Sequence, residues 1–270
     1  MSMGQTQAGF AGPFGDGEDV FALAETYAPD EIIPAHRHAR AQLLYGLTGV
    51  VLVQGTDGAW MMPPECGLWI PAGQEHEVRM LGEVRMRSLY LTEDAAPGMP
   101  DHCAVLAISD LVRTLLEAVA GSPAPLRSTS RGALLTDLLL HEIPALPVIP
   151  LTVPMPPAPR LRALCRDFLK QPSASSDIAT WCARLHMSRR SFTRHFRAGT
   201  GLSFVDWRQR ACVMAAIPRL LAGEPVTGVA LDLGYENPAS FSTMFRRITG
   251  APPSRYVHGF GKTGDGSAAQ

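Results

Sequence analysis

The chain has 270 residues, and what they lack narrows their meaning before any motif is read. No run approaches about 18 uninterrupted apolar residues, so no segment suits a membrane-spanning helix. The opening MSMGQTQAGFAGPFGDGEDV has neither a basic start nor an apolar core, so it does not read as a secretion signal. Cysteines number only five (Cys66, Cys103, Cys165, Cys182 and Cys212), with no CxxC pair. That excludes a disulfide framework and a zinc knuckle, and it points to a reducing cytoplasm. The length exceeds one small core and fits two ordinary domains.

Net charge is also nearly absent, at −1, but the total conceals a division. Residues 1–157 carry 8 Lys/Arg against 18 Asp/Glu, and residues 158–258 carry 15 against 6. The first stretch is therefore −10 and the second +9, with one charge of each sign in the last twelve residues. A cationic surplus of that size in about a hundred residues marks a domain built for a polyanion.

Residues 1–19 are rich in glycine and small side chains and are expected to be loose. From 20 to 98 the pattern is of short strands. LLYGL, VVLVQ and AWMM are apolar or alternating, EVRMRSLYL alternates with period two, and Asp57-Gly58 and Pro63-Pro64 punctuate them. Several brief strands predict a barrel or sandwich. Residues 99–143 turn helical: SDLVRTLLEAVAG opens on a capping Ser109, and GALLTDLLLHEI keeps helical spacing. These helices are suited to pairing subunits. Residues 144–159 hold seven prolines, so an irregular interdomain linker is expected there. Residues 160–257 read as helices, and 258–270 as a loose tail. The fold class is thus α+β, a β-barrel followed by an all-α domain.

The helical half contains an echo. SFTRHFRAGTG (Ser191–Gly201) and SFSTMFRRITG (Ser240–Gly250) lie 49 residues apart with six identities in eleven positions. IATWCARL precedes the first copy and VTGVALDL the second. The first turn, His186-Met187, leads to a capping Ser188; the second, at Gly234, leads to Asn237 as cap and Pro238 at the first helical position. Paired phenylalanines four apart (Phe192/Phe196, Phe241/Phe245) anchor one face of each second helix. Helix, turn, anchored helix is the helix-turn-helix unit, whose second helix enters the major groove. The segment between the units, Phe204 to about Leu221, would be roughly 27 Å long as a helix. That spacing suits readers in successive grooves, about 34 Å apart.

Residues 160–257 resemble the DNA-binding domain of the AraC/XylS family of bacterial transcription regulators, most closely over ALDLGYENPASFSTMFRRITGAPPSRY. The chain departs from that pattern at Cys212, where the family usually has arginine, and at Pro218, which should kink or interrupt the connecting helix. The resemblance implies that Arg190, Thr193 and Arg194 read bases, since a guanidinium fork matches guanine O6 and N7. Arg189 and Arg197 are better placed for phosphates. In the second reader the matching positions, Pro238, Ala239, Ser242 and Thr243, are all short, and Arg246 and Arg247 are expected to hold the backbone.

Residues 31–93 resemble a cupin. His36-x-His38-x3-Gln42-x6-Gly49 follows the first cupin motif and Pro71-x-Gly73-x2-His76 the second. In metal-binding cupins two histidines, a glutamate and a later histidine are ligands, and here Gln42 replaces the glutamate. Positions 36, 38 and 42 share parity, so on one strand they face one side. Three neutral imidazoles could hold a divalent metal such as Zn, Ni or Fe. They could equally bind a small organic effector, or be structural at the barrel mouth. The resemblances together imply a cytoplasmic, homodimeric regulator that binds double-stranded DNA, responds to a small molecule or metal, controls neighbouring transporter or catabolic genes, and is not an enzyme. The competing expectation is a metal-dependent cupin oxygenase or isomerase fused to a DNA-binding module.

Overall fold

A computed structural model of the chain describes residues 18–95, 97–122 and 125–257. The loose start and tail expected at 1–19 and 258–270 lie outside the described residues, apart from Glu18 and Asp19. In chain order the strands are β1 (Val20–Tyr27), β2 (Ile32–His36), β3 (Ala41–Gly46), β4 (Val50–Gly55), β5 (Gly58–Met62), β6 (Cys66–Ile70), β7 (His76–Leu81), β8 (Val84–Leu91), β9 (Ala104–Ala107), β10 (Val148–Ile149) and β11 (Thr152–Pro154). Two compact units result. One is built from the described residues up to Thr56 with Pro64–Val148, the other from Asp57–Pro63 with the described residues from Ile149 onward.

In the first unit β1, β8, β3, β6 and β9 lie side by side, all antiparallel. A second antiparallel group runs β4, β7, β2. Leu43, Tyr45, Leu89 and Leu91 point from β3 and β8 into a core with two helices, α1 (Asp110–Ala120) and α2 (Ser130–Glu142). Those helices contribute Val112, Leu115, Leu116, Val119 and Leu139. Each starts on a side-chain cap: Ser109 Oγ accepts from the Val112 amide and Thr129 Oγ1 from that of Gly132. With helices on one face, strand alternation turns Gln42, Ser88 and Tyr90 toward the other. The turn between β3 and β4 requires Gly49. Its φ is 74°, and a Cβ there would stand 2.5 Å from the Glu83 carbonyl oxygen.

Two sequence expectations are corrected here. The stretch 99–143 is not helical from its start, because Ala104–Ala107 pairs with β6 as a strand. Nor is the proline-rich run 144–159 irregular throughout. It contains β10 and β11, and Pro159 opens the helix α3 (Pro159–Lys170) at its first turn. Pro154 ends β11 and Pro159 opens α3, both places where an amide hydrogen is dispensable.

In the second unit β11 pairs antiparallel with β5, setting Thr152 opposite Trp60 and Val153 opposite Ala59. Among the described residues six further helices follow α3: α4 (Ile178–Leu185), α5 (Arg189–Thr200), α6 (Phe204–Leu221), α7 (Val226–Asp232), α8 (Pro238–Thr249) and α9 (Pro253–Val257). The run leading into α3 is tied to these helices: the Trp207 indole N–H donates to the Pro154 carbonyl (2.7 Å), and Arg162 Nε donates to that of Pro156 (2.9 Å). Helix α6 is continuous through Pro218, which corrects the expected interruption. Pro218 lies in the last turn, where one missing amide costs a single hydrogen bond, and Ile217 and Leu220 beside it are fully buried.

Candidate functional site

Two arrangements carry chemistry, one in each unit. In the second unit, α4 and α5 form one helix-turn-helix and α7 and α8 the other, joined by α6. The Ser188 hydroxyl caps α5 by accepting from the Ser191 amide, and Asn237 Oδ1 caps α8 by accepting from that of Ala239. Phe192 and Phe196 are fully buried among Trp181, Phe204 and Trp207, with ring centroids 4.9–6.4 Å apart. That aromatic core fixes which side of α5 faces outward.

Arg189, Arg190, Thr193, Arg194 and Arg197 are all exposed. The last four stand at i, i+3, i+4 and i+7, so they make one stripe. Among the described residues no carboxylate pairs with any of these arginines. Elsewhere in the unit Arg219 is held by Glu224 and Asp232. A row of cations without acids, on a helix whose other side is locked in a core, is what a phosphate-lined groove requires.

The second reader is different. Ala239 and Thr243 are exposed, and Pro238 and Ser242 half-buried. Both hydroxyls turn back on their own helix, Ser242 Oγ donating to the Pro238 carbonyl and Thr243 Oγ1 to that of Ala239. Arg246 stands exposed. Arg247 does not project alone: it donates to Gln209 Oε1 of α6 at 2.6 Å and lies 3.9 Å from Asp206. It borders a cavity of about 270 Å³ with Pro150, Leu202, Asp206, Arg210 and Ile248. Sequence reasoning placed Arg247 by its neighbour, and its partner 38 residues away on another helix left no local signal.

In the first unit His36 ends β2, His38 follows it, and His76 begins β7. One ligand nitrogen from each lies within 4.8 Å of the others. His38 and His76 are buried, at 5% and 1% exposure, and His36 is half-buried. Burial pulls the imidazole pKa of His38 down and that of His76 to about 4, so both are neutral near pH 7. Each Nδ1 meets a backbone carbonyl: Pro34 for His36 (2.9 Å), Arg40 for His38 (2.5 Å) and Gln74 for His76 (2.9 Å). Gln42, from the facing sheet, reaches His38 Nε2 at 2.9 Å, Tyr90 Oη at 2.9 Å and Ser88 Oγ at 3.3 Å. His76 Nε2 is buried without a hydrogen-bond partner. The structure thus brings together all four residues read from the cupin pattern and adds Ser88 and Tyr90. These came from a strand more than forty positions away, which only the β3–β8 pairing supplies.

The cluster meets a three-histidine metal site in number and proximity. It does not meet it in free donors, because the coordinating nitrogen of His38 is already engaged by Gln42. Among the described residues no carboxylate belongs to the cluster.

A paired DNA reader in one chain with a β-domain that buries a polar cluster defines a ligand-responsive transcription regulator, and comparison with known proteins agrees. Residues 20–179 match the AraC-like ligand binding domain and residues 181–259 the helix-turn-helix domain. The chain belongs to the AraC family of transcriptional regulators. It is similar to the HTH-type transcriptional regulator NimR of Escherichia coli K12, at 32% identity over 83% of this chain and 82% of that protein. It is also similar to the regulatory protein SoxS of Escherichia coli K12, at 38% identity over 24% of this chain and 62% of that protein. The solved structure of ToxT from Vibrio cholerae O395 aligns over 89% of this chain and 98% of its own, with 9% identity and a TM-score of 0.37. No described helix is long and apolar enough to cross a membrane.

Proposed function

We propose that this regulator reads a specific DNA site mainly through α5 and changes its grip when an effector enters the histidine cluster of its β-domain. The observation that carries the reading is the stripe of Arg190, Thr193, Arg194 and Arg197, exposed and without acidic partners on a helix anchored by Phe192 and Phe196. Arg190 and Arg194 contact bases with Thr193, and Arg189 and Arg197 contact phosphates. Helix α8 supplies Pro238, Ala239, Ser242 and Thr243 as a weak reader and Arg246 as a backbone anchor, while Arg247 serves the junction with α6. The effector residues are His36, His38, Gln42 and His76. The protein acts in the cytoplasm as a homodimer and governs neighbouring transporter or catabolic genes. Leu111, Leu134 and Leu138, which are 48%, 70% and 42% exposed on α1 and α2, favour subunit pairing through those helices.

The deciding experiment is a footprint of the full-length protein on the intergenic DNA beside its gene, followed by anisotropy on the protected site. Protection of one or two helical turns, lost in a scrambled sequence, is the expected result. Equal binding to both DNAs would sink the reading. The three neighbouring imidazoles favour one rival, a metal-dependent cupin enzyme. Turnover by metal-loaded protein in an oxygenase or isomerase screen would establish that rival.

A further inference from the structure

The donors and acceptors around His38 can be assigned by elimination. A backbone carbonyl only accepts, so the Nδ1 of His36, His38 and His76, each facing one, carries the hydrogen. In the neutral ring Nε2 is then a bare lone pair. For His38 that lone pair faces the Gln42 amide at 2.9 Å. As placed, the amide oxygen lies toward His38 and the amide nitrogen donates to Tyr90 and Ser88. Oxygen and nitrogen of an amide differ little in shape, and the contact is favourable when the amide is turned over, its N–H donating to His38 and its oxygen accepting from the two hydroxyls. The alternative keeps the oxygen toward His38 and demands a doubly protonated ring. Burial opposes that charge, and among the described residues no carboxylate in the cluster offsets it. In both arrangements the nitrogen that a metal would need from His38 is spent.

We infer that Gln42 closes this cluster to divalent ions by holding His38 Nε2 in a hydrogen bond, so that the effector is an organic molecule and not a metal ion. The inference rests on the reading of the cluster as the effector site. It goes further, because it makes one residue responsible for the choice of ligand. A cation entering between the rings meets an amide N–H or an imidazolium N–H where it needs a lone pair, and it finds no anionic ligand. His76 Nε2, buried and unpartnered, remains as an acceptor for an N–H or O–H group of an organic ligand. Glutamate at position 42 would reverse both conditions by removing the amide donor and supplying a carboxylate beside three imidazoles.

The test uses Co(II) alone as the probe on full-length protein, followed by its visible absorption and by competition with a chelator of known affinity. The wild type should develop no protein-bound cobalt band at equimolar metal, whereas Gln42→Glu should bind about tenfold or more tightly than wild type. Equal affinities in the two proteins, with a cobalt band in both, would overturn the inference. A second measurement needs no variant: long-range proton–nitrogen NMR of the wild-type histidines. His38 should show Nδ1 protonated and Nε2 hydrogen-bonded, unchanged by equimolar Zn(II). A shift of His38 Nε2 on adding zinc would overturn the proposal even if Gln42→Glu failed to fold. Operator binding measured on the same samples separates the two readings. Metal bound at the cluster with DNA affinity altered refutes the role of Gln42 but leaves the sensor intact.

Discussion

At the level of single residues, side chains of the same type do different work according to what stands beside them. Arg190 and Arg194 face outward without acidic partners among the described residues, so replacing either with alanine should cost about 1–3 kcal/mol on the specific site and relax preference at one base pair. Anisotropy on a set of single-base operator variants measures both effects. Unchanged affinity for cognate and scrambled DNA would show the assignment to be wrong. Arg246 and Arg247 are adjacent in sequence but not in role, since only Arg247 is bound to Gln209. Arg246→Ala should therefore make the slope of log K against log salt shallower by about 0.9, one phosphate contact. Arg247→Ala should leave the slope nearly unchanged and lower the melting temperature. Equal slope changes from the two substitutions would contradict this division.

Among the elements, the proline-rich run is better understood as part of the DNA-binding unit than as a tether. Pro156 and Pro157 lie against Gly199 near the end of α5, where an added Cβ would stand 3.2 and 3.1 Å from their ring carbons. Gly→Ala inside a helix ordinarily stabilises by about 0.5–1 kcal/mol. Two rigid proline rings cannot give way, so Gly199→Ala should instead destabilise. Trp207→Phe removes the bond to Pro154 and should cost about 1 kcal/mol, since a part-buried carbonyl loses its donor. Thermal melts of both variants in the full chain check this, and a stabilised Gly199→Ala would show that the prolines do not pack there. None of this was legible in the sequence. Seven prolines announce a break in regular structure, yet the docking depends on Trp207 and Gly199, about forty to fifty residues further on. The paired readers were legible because repeat, caps and phenylalanine spacing are all local. His36, His38 and His76 were legible for the same reason, whereas the hold of Gln42 on His38 needed strand pairing across the sheet.

The molecule as a whole sorts its charges by role, with the acidic stretch carrying the histidine cluster and the basic stretch the grooves' cations. Pairing of two copies would double the readers without new chemistry, and Leu134 is the most exposed of the large apolar side chains on α2. Leu134→Glu should convert a dimer to monomer by light scattering and weaken operator binding far more than it weakens binding of a half-site. A wild-type protein that is already monomeric at the same concentration would refute α2 as the pairing surface. Ordinary stability should change little, because the substituted side chain is 70% exposed.

Because Asp57–Pro63 belongs with the DNA-binding unit although it lies early in the chain, this protein cannot be divided by a single cut. Gene fusion and recombination trade contiguous blocks. A hybrid joined once, near residue 149, would inherit β11 without the β5 it pairs with. The orphaned strand would then offer its open edge to any passing chain. A transplant that exchanges residues 57–63 as well keeps the pair intact and should be the more soluble of the two hybrids. The boundary between the two units therefore crosses this chain three times, after Thr56, Pro63 and Val148.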